Sequence, residues 1–192
     1  MRMVAFLVLG LAISCQPSPA AAQHREAGAH EHGRGTLNIA MEGTRVSMEL
    51  EVPGADIVGF EHAAKTRKQK AAVAEAKKQL SAPQALFVLP ASAGCVVKEA
   101  KVAVEGQEHG HDDAKAKDGK KAADHKEKEH SEFHATYAFE CKAPANITSI
   151  EFAYFRVFAG AQKLDVNVAT SKGQTRFEVT RAKPRIDLAG MM

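Results

Sequence analysis

The chain has 192 residues, with 26 Lys+Arg against 23 Asp+Glu and a formal charge of +3 at pH 7. That balance excludes a nucleic-acid-binding polycation and an acidic tail, and the length fits one domain. Hydrophobic residues make up 45% and aromatics 6% with no Trp, which excludes collagen, coiled-coil and multi-span membrane classes and leaves room for a polar stretch outside the core.

Arg2 precedes an apolar run, residues 3–13, too short to span a bilayer as a mature helix, and Ala20-Ala21-Ala22 follows. This is the pattern of a secretory signal peptide, with cleavage expected after Ala22. Cys15, behind Ala12-Ile13-Ser14, offers a rival reading as a lipoprotein, against which stands the Ala three residues before it where Leu is preferred. No other segment approaches the roughly 20 apolar residues of a membrane span. Residues 23–192 are expected to form one exported domain without a membrane span.

Residues 23–34 are polar, without apolar period, and carry His24, His30 and His32. Leu37, Ile39 and Met41 then alternate, and after residues 42–45 the pattern resumes with Val46, Met48, Leu50 and Val52, which predicts a β-hairpin with one buried face. From Asp56, the apolar residues Ile57, Phe60 and Ala64 recur at helical spacing and predict a first helix carrying His62. Thr66 can cap a second, whose stripe of Ala72, Ala76 and Leu80 stands opposite Arg67, Lys68, Lys70, Lys77 and Lys78 and ends at Ser81-Ala82-Pro83. The basic face reads as solvated.

Cleavage of the leader removes Cys15 and leaves Cys95 and Cys141, an even count in a compartment where disulfides persist. Residues 95–104 and 133–141 both read as strands. Paired antiparallel they set Cys95 against Cys141 and Val97 against Phe139, a spacing that suits a disulfide, and leave residues 106–131 as the connection at the far end. Beyond Cys141, residues 147–152 read as a short strand. Phe155 and Phe158 suit a helical turn capped by Gly160, and Leu164, Val166 and Val168 alternate before a turn at 171–173 and a return through Phe177 and Val179. These elements predict an α+β fold: a mainly antiparallel β-sheet built from hairpins, with one or two helices packed on a face and a long disordered His-rich loop between two strands.

The connection carries the chemistry. Residues 108–130 contain no large apolar side chain and cannot bury a core, so the loop is expected to be disordered when free. Five of the nine histidines fall between His109 and His134, and His30 and His32 form a second H-x-H. Neutral imidazole suits borderline transition metals. His109-x-His111 with Asp112 beside it offers adjacent donors, and His125, His130 and His134 can complete the set. Closing a flexible loop on an ion costs ordering entropy, so the behaviour expected is capture and hand-off. The competing reading is a solvated linker. A metallohydrolase string at His109, His111 and Asp113 would need rigid strand ends, and no phosphate loop, serine nucleophile elbow or CxxC occurs; no enzyme is expected. A helical His62 near an apolar face reads first as a satisfied core residue.

The stretches His30-Glu31-His32-Gly33, Glu49-Leu50-Glu51-Val52-Pro53, GFEHA at 59–63, Ala93-Gly94-Cys95 and HSEFHATYAFEC at 130–141 together resemble the ZrgA-type family of bacterial periplasmic zinc-uptake proteins, over essentially the whole mature chain. The resemblance implies a periplasmic Zn²⁺ binder that assists an ABC-type zinc importer together with its solute-binding protein. It highlights His30, His32, His62, His130 and Glu132 along with the two cysteines. The expectation is an exported, disulfide-bonded, non-enzymatic zinc-binding protein. The alternatives are a periplasmic adaptor or chaperone without a metal role, and a copper or nickel buffer, since a His-rich loop binds Cu²⁺ more tightly than Zn²⁺.

Overall fold

The computed structural model describes residues 32–106 and 130–191. The first alternating stretch forms β1 (Arg34–Glu42) and β2 (Arg45–Pro53), antiparallel with Leu37 opposite Leu50 and Ile39 opposite Met48. Gly43, at φ +57, makes the turn between them, where a side chain would be strained. The cysteine-bearing strands are β4 (Cys95–Glu105) and β5 (Glu132–Cys141), in the expected register: Cys95 opposite Cys141, Val97 opposite Phe139, and a disulfide between the cysteines. A bulge between Val97 and Glu99 inserts Lys98 into the edge strand, which the alternation did not announce. The closing hairpin is β7 (Lys163–Thr170) with β8 (Gly173–Thr180).

The three hairpins merge into one six-stranded sheet of order β4-β5-β2-β1-β7-β8. Every pairing in it is antiparallel except that of β1 with β7, which is parallel, with Leu37 beside Val166. On one face the alternate apolar residues of β1, β2, β5 and β7 are buried, with Val97, Val102 and Val104 of β4 and Phe177 of β8 partly buried against them. They share a single core with Ala76 and Leu80 of α2 (Arg67–Leu80), Leu86 of α3 (Pro83–Leu86), and Tyr154 and Phe155 of α4 (Tyr154–Val157). A second, three-stranded sheet of order β3-β6-β9, made of β3 (Phe87–Val88), β6 (Ser149–Phe152) and β9 (Arg185–Asp187), completes that layer. Phe87 is its pivot, edge-on to Phe152 and stacked on Tyr154.

Thr66 caps α2 with a full capping box: its hydroxyl accepts from the Gln69 backbone N–H, and the Gln69 side chain accepts from the Thr66 N–H. The first helix is shorter than its apolar spacing predicts. α1 spans only Gly54–Val58, because Gly59 turns into the left-handed region at φ +82, and residues 60–66 are irregular. His62 is consequently not a helical residue. Gly160, expected as a helix cap, has another use: a β-carbon on it would stand 2.6 Å from the carbonyl oxygen of Asp56, so only glycine lets these two backbones meet.

Candidate metal centre

Two polar junctions fix one carboxylate between two imidazoles. In the loop after α1, the Glu61 carbonyl accepts from Ser131 N–H at 2.6 Å while the Ser131 carbonyl accepts from Gly54 N–H at 2.7 Å, which lashes residues 54–61 to the start of β5. Glu61 thereby stands beside His130. On the other side, Asp56 Oδ1 accepts from the Gly33 N–H at 2.7 Å, and the Gly33 carbonyl accepts from the N–H groups of Gln162 and Lys163. His32, one residue earlier, is held next to the same loop.

The result is a carboxylate with an imidazole at each oxygen. His130 Nδ1 lies 2.6 Å from Glu61 Oε2 and His32 Nε2 lies 3.1 Å from Oε1. Protonated at Nδ1, His130 donates to Glu61 and keeps the Nε2 lone pair for another partner, the arrangement by which a carboxylate orients a metal-ligating histidine. The His32 approach is an ion-pair distance without hydrogen-bond alignment, so Glu61 Oε1 is buried with no hydrogen-bond partner among the described residues. The Glu61 side chain is 14% exposed, whereas His32 is 69% and His130 50% exposed. A shielded carboxylate thus faces two solvent-facing imidazoles.

Asp56 deepens the negative character of this spot. It is 4% exposed, and Oδ2, like Glu61 Oε1, has no hydrogen-bond partner among the described residues. Burial raises its pKa; the Gly33 N–H and His32 work in the opposite direction, and the charge of Glu61 adds to the rise. Tyr154, fully buried nearby, has its hydroxyl pushed up by burial first and by Asp56 second.

Of the residues singled out from sequence, His32 and His130 meet at Glu61. His62 lies beside Glu61 in the chain but is exposed and otherwise engaged: its ring stacks on Phe60 with centroids 5.0 Å apart, Nδ1 lies 3.0 Å from the Ala63 carbonyl and Nε2 3.4 Å from the Gln69 amide nitrogen. Neither the predicted helix nor a core position describes it. Glu132 and His134 form a second group on the outer face of the sheet, with His134 Nε2 3.0 Å from Glu132 and 3.6 Å from Glu105. His30, His109, His111, Asp112 and His125 lie outside the described residues.

Sequence reasoning missed Glu61 and Asp56 as site residues. Both are single acids in short non-periodic segments, and the one available signal was the GFEHA run that contains Glu61. A trough of about 700 Å³ on the outer face of the sheet is lined by residues such as Asn38, Ser47, Thr136 and Asn167 and by no histidine. It has no share in the Glu61 cluster.

Nitrogen and carboxylate donors are the set that zinc accepts, at about 2.0–2.2 Å each, which places neighbouring ligands of a tetrahedral ion roughly 3.3 Å apart. The 3.1 Å approach of His32 Nε2 to Glu61 Oε1 is near that spacing, whereas the 2.6 Å contact of His130 Nδ1 is a hydrogen bond that leaves His130 Nε2 as the ligating nitrogen. As they stand, no three or more His, Cys, Asp or Glu side chains among the described residues are disposed to hold a metal ion.

No helix among the described residues is long and apolar enough to cross a membrane. No curated protein matches the chain. The family model described as ZrgA family zinc uptake protein matches residues 29–188, from just before β1 to just after β9. By that match the chain belongs to the ZrgA family of zinc uptake proteins.

Proposed function

We propose that this protein is exported, loses residues 1–22, and works in the periplasm as a zinc-capture protein that has no enzymatic activity and assists an ABC-type importer, with the importer's solute-binding protein as the recipient. The observation that carries the reading is the Glu61 carboxylate between His32 and His130. These two histidines are where the His-rich stretches meet the fold: His32 follows His30, and His130 closes the insertion 107–129. Gly106, where the insertion leaves, lies against His130, with its β-carbon position 2.5 Å from the His130 carbonyl oxygen. In this reading His109, His111, Asp112 and His125 collect Zn²⁺ at moderate affinity and fast exchange, and the folded centre receives it. Glu132 and His134 supply further donors on the neighbouring sheet face.

The test is a chelator-competition titration of Zn²⁺ into residues 23–192 and into the same chain lacking 107–129, with Cu²⁺ and Ni²⁺ in parallel. The expected result is more than one zinc per intact chain and one retained, tighter zinc after deletion, lost in Glu61→Ala. Binding no tighter than that of free histidine by either form would overturn the metal reading and favour an adaptor. Tight binding of Cu²⁺ or Ni²⁺ with no competent zinc site would favour the buffer.

A further inference from the structure

Asp56 costs more as a carboxylate than its one hydrogen bond requires. It is 4% exposed, accepts a single N–H, that of Gly33, through Oδ1, and leaves Oδ2 without a partner among the described residues. An asparagine would accept the same N–H without a buried charge, and an unpaired buried charge is among the most expensive groups a fold can contain. The charge is also placed beside another of its own sign. Asp56 and Glu61 repel each other, and Glu61 Oε1, 3.1 Å from His32 Nε2, likewise lacks a hydrogen-bond partner among the described residues. A buried carboxylate and a partly buried one, each with a buried oxygen that lacks a hydrogen-bond partner among the described residues and both attracted to His32, make a local environment that a divalent cation would relieve.

The same residue is the mechanical hub of the neighbourhood. Gly33 is held at φ +83, a conformation that favours glycine, with its N–H on Asp56 and its carbonyl on Gln162 and Lys163. The backbone of Asp56 is in turn wedged against Gly160. The loop that carries Gly160 is stapled by one side chain, because the Arg181 guanidinium donates to the carbonyls of Phe155, Phe158, Ala159 and Ala161. Arg181 therefore sets the loop, the loop sets Asp56, and Asp56 sets Gly33 and with it the backbone of His32.

We infer that Asp56 is the positioning residue of the Glu61 centre, fixing His32 through Gly33 and adding a buried negative charge that a bound divalent cation neutralises. The inference rests on the reading of Glu61, His32 and His130 as zinc donors. It assigns a role to a residue that touches neither histidine ring, and it explains why an acid stands where an amide would satisfy the backbone.

The experiment compares Asp56→Asn, Asp56→Ala, Glu61→Gln and wild type, each as the whole mature chain, by chelator competition with Zn²⁺ and by thermal melting with and without Zn²⁺. Asp56→Asn keeps the acceptor for Gly33, so its metal-free melting temperature is expected at or above that of the wild type, while its zinc affinity falls about ten-fold or more, the usual effect of losing a group that supports a ligand. Its zinc-induced rise in melting temperature shrinks accordingly, a change that a merely structural role would not produce. Asp56→Ala, which loses the hydrogen bond as well, is expected to bind more weakly still. Zinc affinity of Asp56→Asn within two-fold of wild type, alongside a weakened Glu61→Gln, overturns the inference and leaves the centre standing. Equal binding by Glu61→Gln and wild type removes the centre itself, and the inference with it.

Discussion

Gly160 lies so close to Asp56 that the two backbones are in contact, with only 2.6 Å between the Asp56 carbonyl oxygen and the place a β-carbon would take. A methyl group there meets main chain and not a side chain that can swing aside. Gly160→Ala is expected to lose about 1–3 kcal/mol by denaturant unfolding, the usual cost of an overpacked contact. It should also weaken zinc binding, because displacing Asp56 displaces Gly33.

The three residues of the Glu61 cluster should behave as one unit. Glu61→Ala, His32→Ala and His130→Ala are each expected to reduce zinc affinity by about ten-fold or more in the chain lacking 107–129. Pairwise combinations should lose less than the sum of the singles, because groups sharing one ion are not additive. His62→Ala, whose ring serves Ala63 and Gln69, should leave that affinity unchanged. Isothermal titration of the set is the check, and a loss on His62→Ala equal to that on His130→Ala would contradict the assignment.

Asp56 and Asp165 pull stability in opposite directions as pH changes. The pKa of Asp56 is raised, by burial above all, so its contribution is fully present below the unfolded value of 3.8 and is lost as pH rises through the folded value. Asp165 is also subject to burial, but its hydrogen bonds to Arg34 and Arg176 outweigh that and lower its pKa. Its contribution is present above 3.8 and is lost as pH falls through its depressed folded value. In metal-free melts, Asp56→Asn should gain on the wild type as pH is raised from about 4, and Asp165→Asn should lose most at neutral pH. A pH-independent difference for Asp56→Asn would contradict the buried-charge argument.

The disulfide is remote from the candidate centre. Cys95 and Cys141 close one end of the β4–β5 ladder and Glu105 and Glu132 face each other at the other, roughly 30 Å away at the rise of an antiparallel strand. Removing both cysteines as Ala is expected to cost about 2–4 kcal/mol of stability. Zinc affinity should remain within two-fold of the parent. Tryptophan is absent, so circular dichroism rather than indole fluorescence is the practical readout.

The long strands and the cysteine pairing were legible because one buried face writes itself into the sequence with period two: Leu37, Ile39 and Met41, then Val46, Met48, Leu50 and Val52. The α2 cap and stripe were legible for the analogous helical reason. The three-stranded sheet was not, because two to four residues such as Phe87 and Val88 carry no period, and its pairing is set by packing on Tyr154 and Phe152. The parallel pairing of β1 with β7 left no local trace either. The first helix was overextended because Ile57, Phe60 and Ala64 kept helical spacing past Gly59, where the backbone had already turned. The site was half visible: His32 and His130 stood out as histidines, while Glu61, the group that joins them, looked like any other surface acid.

The parallel pairing of β1 with β7 bears on the order of folding. Asn38 and Asn167, hydrogen-bonded side by side, are 129 positions apart, so the edge of β1 has no neighbour until nearly the whole chain is present. Contacts of such separation form slowly, and an unpaired strand edge is exposed to wrong partners in the meantime. The clasp on Gly33 also needs Gln162 and Lys163. During synthesis from the N-terminus, His32 is among the first residues of the domain to be made and among the last to be fixed in place.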